Sequence, residues 1–202
     1  MMLEILFTST AVTTRQDYKF KKDDYLIGIE DGAYEIIKRG FTLDLVLGDF
    51  DTTTHLDEIL KNANNVIKYP NEKDEIDLEL ALKYIEEHFS NNEVYIYNAT
   101  SGRMDHELIT IKLLIKYANL NIHLMNGIEE VIYITNSYTI NEQNKRFSLI
   151  PFNDVELEII GSLYEIPKTR LSILDCYTSS NKTIDFTTIN VYNGGVILVK
   201  EV

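Results

Sequence analysis

Over roughly the first 135 positions, short apolar runs rich in β-branched residues alternate with stretches of helical spacing. Leu3–Phe7, Tyr25–Ile29, Leu43–Leu47, Val66–Tyr69, Val94–Tyr97, Ile122–Met125 and Val131–Ile134 read as strands. Most are nearly continuous apolar runs, the pattern of strands buried on both faces of a parallel sheet. Helices fill the gaps. In Leu78–Phe89 the residues Leu78, Ala81, Leu82, Ile85 and Phe89 share one face, while Glu79, Lys83, Glu86 and Glu87 point outward. A second helix is predicted from about His106 to Tyr117, with Leu108, Ile111, Leu114 and Ile115 inward, and a short one over Tyr34–Lys38 stops at Gly40.

After Asn136 the pattern becomes short runs between turn formers, namely Phe147–Phe152, Val155–Ile160, Leu171–Leu174, Ile189–Tyr192 and Val196–Val199. The expected architecture is therefore α/β: an N-terminal, mostly parallel α/β/α domain over residues 1–135, followed by a small all-β sandwich over 136–202. No Pro- or Gly-rich linker marks the boundary.

A length of 202 residues with 45% hydrophobic content suffices for a proper core. The one cysteine, Cys176, rules out an intrachain disulfide. The N-terminus lacks a basic n-region and no segment approaches a membrane span, so a soluble, cytoplasmic protein is expected, with no membrane partner. The net charge of −13 and the absence of a basic stripe oppose nucleic-acid binding. Acidity does not oppose a phosphorylated small molecule, since Mg²⁺ can bridge carboxylates and phosphates.

The location of the carboxylates is more informative than their number. Four successive strand-to-helix junctions carry Glu30-Asp31-Gly32-Ala33, Gly48-Asp49-Phe50-Asp51-Thr52, Lys73-Asp74-Glu75-Ile76-Asp77, and Asn98-Ala99-Thr100-Ser101-Gly102-Arg103-Met104-Asp105-His106. In a parallel sheet these junctions lie along one edge, where such folds bind ligands. Asp49 and Asp51, at i and i+2, suit one hard cation while Phe50 packs away, although Asp-x-Asp also describes a solvated turn. Asp74 as N-cap and Asp77 three residues on would open the best helix, with Lys73 beside them to reach a phosphate. Arg103 can fork onto phosphate oxygens at a helix start, and Asp105 can orient it or accept a proton. His106 reads as an ordinary residue of a helix start. Each motif alone also describes a capped helix or turn; their co-occurrence at one edge is the functional signal.

Taken in order, these blocks resemble the thiamine pyrophosphokinase family, whose segments read approximately A-D-G-G-A, G-D-F-D-S, K-x-T-D-x-E-L-A-L and G-G-R-x-D-H. The similarity extends to Ser148-Leu149-Ile150-Pro151-Phe152, like the family's S-L-I-P-x, and to Thr178-Ser179-Ser180-Asn181, like its late Ser-Asn block. The resemblance implies a nucleotide-binding domain followed by a β-sandwich, acting as a homodimer with thiamine near the subunit interface. It implies that Asp49, Asp51, Asp74 and Asp77 hold Mg²⁺ and ATP, that Lys73 and Arg103 meet phosphate with Asp105 orienting, that Asp31 lines the crevice, and that Ser180 and Asn181 help form the thiamine site. The reaction implied is transfer of the terminal pyrophosphoryl group of ATP to thiamine. The chain departs from the pattern at Ala33, Ile76 and Ser101. Two other readings fit part of the same residues: a glycosyltransferase using Asp49 and Asp51 for a sugar nucleotide, and a non-catalytic nucleotide or thiamine sensor.

Overall fold

The computed structural model describes residues 3–7, 24–89, 92–100 and 103–202; Ser101 and Gly102 of the fourth junction lie outside them. Contacts divide the chain into two units, Met1–Gly127 and Ile128–Val202.

In the first unit, β1 (Leu3–Phe7), β2 (Tyr25–Ile29), β3 (Leu45–Gly48), β4 (Val66–Lys68), β5 (Glu93–Tyr97) and β6 (Asn121–Met125) alternate with α1 (Asp31–Lys38), α2 (Leu56–Asn62), α3 (Asp77–His88) and α4 (Met104–Lys116). The strands pair in parallel in the order β6-β5-β1-β2-β3-β4. From β1 the chain builds outward through β2, β3 and β4, and then β5 pairs on the other side of β1. That reversal is the topological switch point at which open α/β sheets bind ligands.

Local chemistry explains most of these elements. Ile27 and Ile29 of β2, and Leu45, Val46 and Leu47 of β3, are fully buried. Burying each such side chain contributes about 1.5–3 kcal/mol. The strands β5 and β6 instead alternate buried and half-buried positions, and β4 leaves Val66 exposed, as befits its place at the end of the order. Gly28 faces α1 closely: a Cβ there would lie 2.5 Å from Ala33 Cα, so the glycine lets the helix sit down on the sheet. Helix α1 ends as expected at Gly40, whose φ of +82° and the amide bonds Gly40→Ile37 and Phe41→Ile36 form a left-handed C-cap.

Three expectations change. Helix α3 begins at Asp77 and its N-cap is Ile76, not Asp74; Ile76 is extended at ψ 156° and its aliphatic side chain can make no cap bond, while Lys73 pairs with Asp77 across the loop. Helix α4 buries Thr110, Leu113 and Leu114, whereas Leu108 is 51% exposed, so its inward face is rotated from the predicted one. The run at Val131–Ile134 does not extend the parallel sheet. It forms β7 (Glu129–Ile134), antiparallel to a strand of the second unit, and the division falls near residue 127 rather than 135.

The second unit is antiparallel: β7, β8 (Tyr138–Ile140), β9 (Arg146–Ile150), β10 (Val155–Ser162), β11 (Ile166–Leu171), β12 (Asn181–Asn193) and β13 (Val196–Glu201). They pair in the order β11-β10-β12-β9-β13-β7, with β8 also on β12. β12 serves three partners, β9 at Asn181–Lys182 and β10 and β8 further along. Ile132, Ile140, Phe147, Leu149, Leu157, Leu171, Ile189 and Leu198 meet in one core. The expected strand Leu171–Leu174 shares only Leu171 with β11 and otherwise falls in a turn, and Ile189–Tyr192 covers only the later part of β12. The first half of β12 is built on buried Asn181, Thr183 and Thr187, whose amide and hydroxyls bond to Ser162, Glu142 and Gly161 on other segments and leave no apolar run to read.

Candidate active site

Glu30 closes β2, Asp49 follows β3, and Asp77 opens α3 after β4. Their side chains converge: one carboxylate oxygen from each lies within 4.8 Å of the others. Their positions follow from the parallel sheet, which brings the carboxyl ends of β2, β3 and β4 side by side at spacings of about 4.8 Å.

The junction after β3 is built around Glu30. Its Oε1 accepts the amide of Phe50 at 2.8 Å, and Phe50 holds a φ of +60° while its ring packs with Leu26, Val46 and Ile59. Gly48 must be glycine, since a Cβ there would collide with the Glu30 carboxylate and its φ is +151°. Glu30 itself (φ +51°) and Asn98 (φ +59°), just after β5, are also left-handed non-glycine residues. Such strained residues concentrate where surrounding structure over-determines them, as at ligand sites.

Lys73 joins the cluster. Its ammonium makes an ion pair with Asp49 and lies 3.2 Å from Asp77 Oδ1. The electrostatics follow from burial. Desolvation, opposed by the Phe50 amide and reinforced by Asp77, Asp49 and Asp51, pushes the Glu30 carboxyl up to about 7. Burial raises Asp77 too, against the pull of Lys73. Burial acts on Asp49 in the same direction, but the Lys73 ammonium and the Asp51 amide hold it below the usual carboxylate range. Burial works against the charge of Lys73, and its two carboxylate partners more than restore it.

The buried polar side-chain atoms with no hydrogen-bond partner among the described residues include Glu30 Oε2, Asp31 Oδ1, Thr100 Oγ1 and His106 Nδ1. All four lie on the junctions along this one edge of the sheet. Orphaned buried polar atoms are costly and call for a partner. Three hard oxygen donors within the span of one octahedral shell, one of them Glu30 with an orphaned second oxygen, fit Mg²⁺.

The predicted residues are distributed as follows. Asp49, Asp77 and Lys73 meet. Glu30 is the partner that the sequence alone does not single out, because Asp31 beside it matches the acidic place of the first block equally well. The signal available was the glycine at 48, which leaves room for a carboxylate. Asp31 instead starts α1, and Asp51 is exposed, linked to the cluster by its amide on Asp49 Oδ1 at 3.3 Å. Asp74 is exposed and is not the helix cap expected of it. Arg103, at the N-cap of α4, forks onto Asp105 through Nε at 3.1 Å and through Nη2, and this pair is well exposed. The hydrogen bonds from Arg103 hold the Asp105 carboxyl below its usual range. No ion pair joins Arg103 or Asp105 to the carboxylate cluster among the described residues.

In the second unit the two segments singled out in the sequence lie together. Ser180 (φ +57°) donates its amide to Ser148 Oγ at 3.0 Å, and Thr178 Oγ1 donates to the Leu149 carbonyl at 2.6 Å. Ser148 and Ser180 line a cavity of about 230 Å³ with Phe147, Arg146 and Glu201. Asn181 is different: it is buried, its amide nitrogen donates to Ser162 Oγ and the Tyr164 carbonyl, and its oxygen accepts from Tyr164 and Lys182. With every donor and acceptor engaged, it shapes the turn and has no bond to spare for a ligand. Asn181→Ala is therefore expected to lower stability by about 2–4 kcal/mol, read as a drop in Tm.

The family model described as the catalytic domain of thiamin pyrophosphokinase matches residues 17–126. A thiamine pyrophosphokinase of Bacillus subtilis (strain 168) is 31% identical over 167 residues, covering 78% of each chain. Among solved structures, thiamine pyrophosphokinase from Bacillus subtilis superposes with a TM-score of 0.87 at 25% identity, covering 99% of this chain and 98% of that one. Thiamin pyrophosphokinase from Candida albicans shares the fold at 14% identity, with a TM-score of 0.83 and coverage of 100% and 89%. A family match over residues 17–126, 31% identity across 78% of a thiamine pyrophosphokinase and the same fold leave one assignment: the chain belongs to the thiamine pyrophosphokinase family.

Proposed function

We infer that the chain carries out its family's reaction at the carboxyl edge of the parallel sheet, moving the pyrophosphoryl group of ATP to the hydroxyl of thiamine to give thiamine diphosphate and AMP. The observation that carries this reading is the convergence of Glu30, Asp49, Asp77 and Lys73 from three junctions, with Glu30 Oε2 buried and without a partner among the described residues. In this reading Glu30, Asp49 and Asp77 hold Mg²⁺, with Asp51 and Asp74 at its margin. Mg²⁺, when bound, supplies neutralisation of phosphate charge.

The chain's own residues do the rest. The thiamine hydroxyl oxygen bonds to the β-phosphorus of ATP as the bond from that phosphorus to the α–β bridging oxygen breaks, and AMP departs with that oxygen. A loose transition state asks for alignment more than for a strong base, and Asp77 or Asp105 takes the hydroxyl proton late. Lys73 and Arg103 meet phosphate oxygens, Asp105 presents the Arg103 fork, and Asp31 lines the crevice. Thiamine is assigned to a β-sandwich unit, at the Ser180 cavity. A homodimer is supported by the exposed apolar side chains of Leu163, Tyr164, Ile184 and Phe186 on this unit.

Mass spectrometry of products from thiamine, ATP and Mg²⁺ tests the reaction. AMP and thiamine diphosphate should appear together and only when both substrates are present; AMP formed without thiamine, or no AMP, removes the reading. That measurement also separates it from the glycosyltransferase and sensor alternatives. Light scattering at micromolar concentration should return a dimer.

Arg103→Lys separates two roles. As a phosphate fork, Arg103 cannot be replaced by a point charge, and kcat/KM for ATP should fall by roughly one to two orders of magnitude. Its pair with Asp105 is exposed, so Tm should hardly move. Unchanged ATP kinetics would take Arg103 out of the site.

A further inference from the structure

Lys73 sits where a cation is wanted. Its side chain is 11% exposed, and both of its ion pairs, to Asp49 and Asp77, use carboxylates of the cluster. It comes from the same loop as Asp77, four residues earlier, and its ammonium reaches the carboxylate oxygens that would ligate a divalent cation. An ammonium and a divalent cation cannot share that space, because like charges a few ångströms apart in a partly desolvated site repel strongly. Without a cation the three carboxylates would repel one another just as strongly. The side chain stem is long and unbranched, so its end can leave without moving the loop.

We propose that Lys73 is a displaceable internal counter-ion: its ammonium holds Asp49 and Asp77 together until a divalent cation takes its place, and the freed ammonium then turns to the phosphates of the nucleotide. The proposal rests on the reading of Glu30, Asp49 and Asp77 as the metal ligands. It has a thermodynamic consequence. Divalent cation alone must displace Lys73 at a cost, whereas cation arriving with nucleotide gives the displaced ammonium a new anionic partner, so each favours the other's binding.

Two measurements test it. In wild-type protein, acetylation of Lys73 by an amine-reactive ester, read by peptide mass spectrometry, should rise several-fold on adding Mg²⁺ alone and fall again when a non-hydrolysable ATP analogue is added with Mg²⁺. Calorimetric titration with Mn²⁺ in the absence of nucleotide should show Lys73→Met binding roughly tenfold more tightly than wild type, since no ammonium has to be displaced. Equal or weaker Mn²⁺ binding by the variant, or acetylation indifferent to Mg²⁺, overturns the counter-ion role and leaves the metal ligands standing. If neither protein binds Mn²⁺, the metal reading falls and the counter-ion falls with it. Should Lys73→Met fail to fold, the wild-type labelling experiment decides alone.

Discussion

Asp49→Asn should reduce kcat/KM by roughly 10²–10³-fold at saturating Mg²⁺, with the fold intact. The substitution keeps size and shape but replaces a charged oxygen by an amide at the point where β3 delivers its carboxylate to the cluster. The variant loses the ion pair to Lys73 but also relieves repulsion toward Glu30 and Asp77, two carboxylates already raised by burial and by Asp49 itself. These effects oppose each other, so Tm should shift by only a few degrees. Steady-state kinetics and a thermal melt on the same preparation check both halves. Turnover close to wild type would show that Asp49 ligates nothing the reaction needs.

Glu30→Gln is expected to separate stability from activity in opposite directions. Glu30 has an ordinary value of 4.5 and is pushed up to about 7 in the folded protein, chiefly by burial. Between those values the folded chain keeps a proton that the unfolded chain has released. Stability from this group therefore falls as pH rises from about 4.5 to 7, and stays low above that. Glutamine carries no charge and still offers an oxygen to the Phe50 amide. In metal-free protein at pH 8 the variant should be more stable than wild type by up to about 3 kcal/mol, the equivalent of that shift, and the gap should close toward pH 4.5. Activity should move the other way, with kcat/KM at pH 8 down by roughly two orders of magnitude because a ligand charge is gone. Melts across pH together with kinetics at pH 8 check this. A variant less stable than wild type at both ends of the range would leave Glu30 as only a hydrogen-bond acceptor for the Phe50 amide.

Glu30 also illustrates where reading along the chain stops. Set against the A-D-G-G-A block, the acidic position was matched to Asp31, which leaves Ala33 in place of a glycine. The position of Glu30 beside Asp49 and Asp77 supports a register shifted by one, in which Ile29-Glu30-Asp31-Gly32-Ala33 spans the block, Glu30 takes the acidic place and Ala33 matches. Adjacent acids at a turn are indistinguishable by composition or charge. A left-handed backbone at Glu30 decides which carboxylate enters the site and which starts a helix.

Local physics made much legible. Continuous apolar runs identified β2 and β3 because both of their faces are covered, 3.6-residue spacing identified α3, and Gly40 closed α1 because it alone tolerates the left-handed cap. The acidic junctions showed the functional edge, since parallel strands put every such junction on one side. Other features depended on partners distant in the chain. The first half of β12 looks polar because its buried threonines and Asn181 bond to neighbouring strands and turns instead of packing as an apolar face. The run at Val131–Ile134 has the composition of a parallel strand, and pairing with β13, more than sixty residues on, made it antiparallel. The sequence by itself determined the parallel strands β1–β6 with helices α1, α3 and α4 among them, the family and the edge that carries the chemistry, because periodicity and motif order are properties of neighbours in the chain. Tertiary structure alone decided that Glu30 joins Asp49 and Asp77, that Lys73 neutralises them, and that Asn181 is spent on its own turn, because a side chain's burial and partners are set by residues that the fold, not the chain, brings beside it.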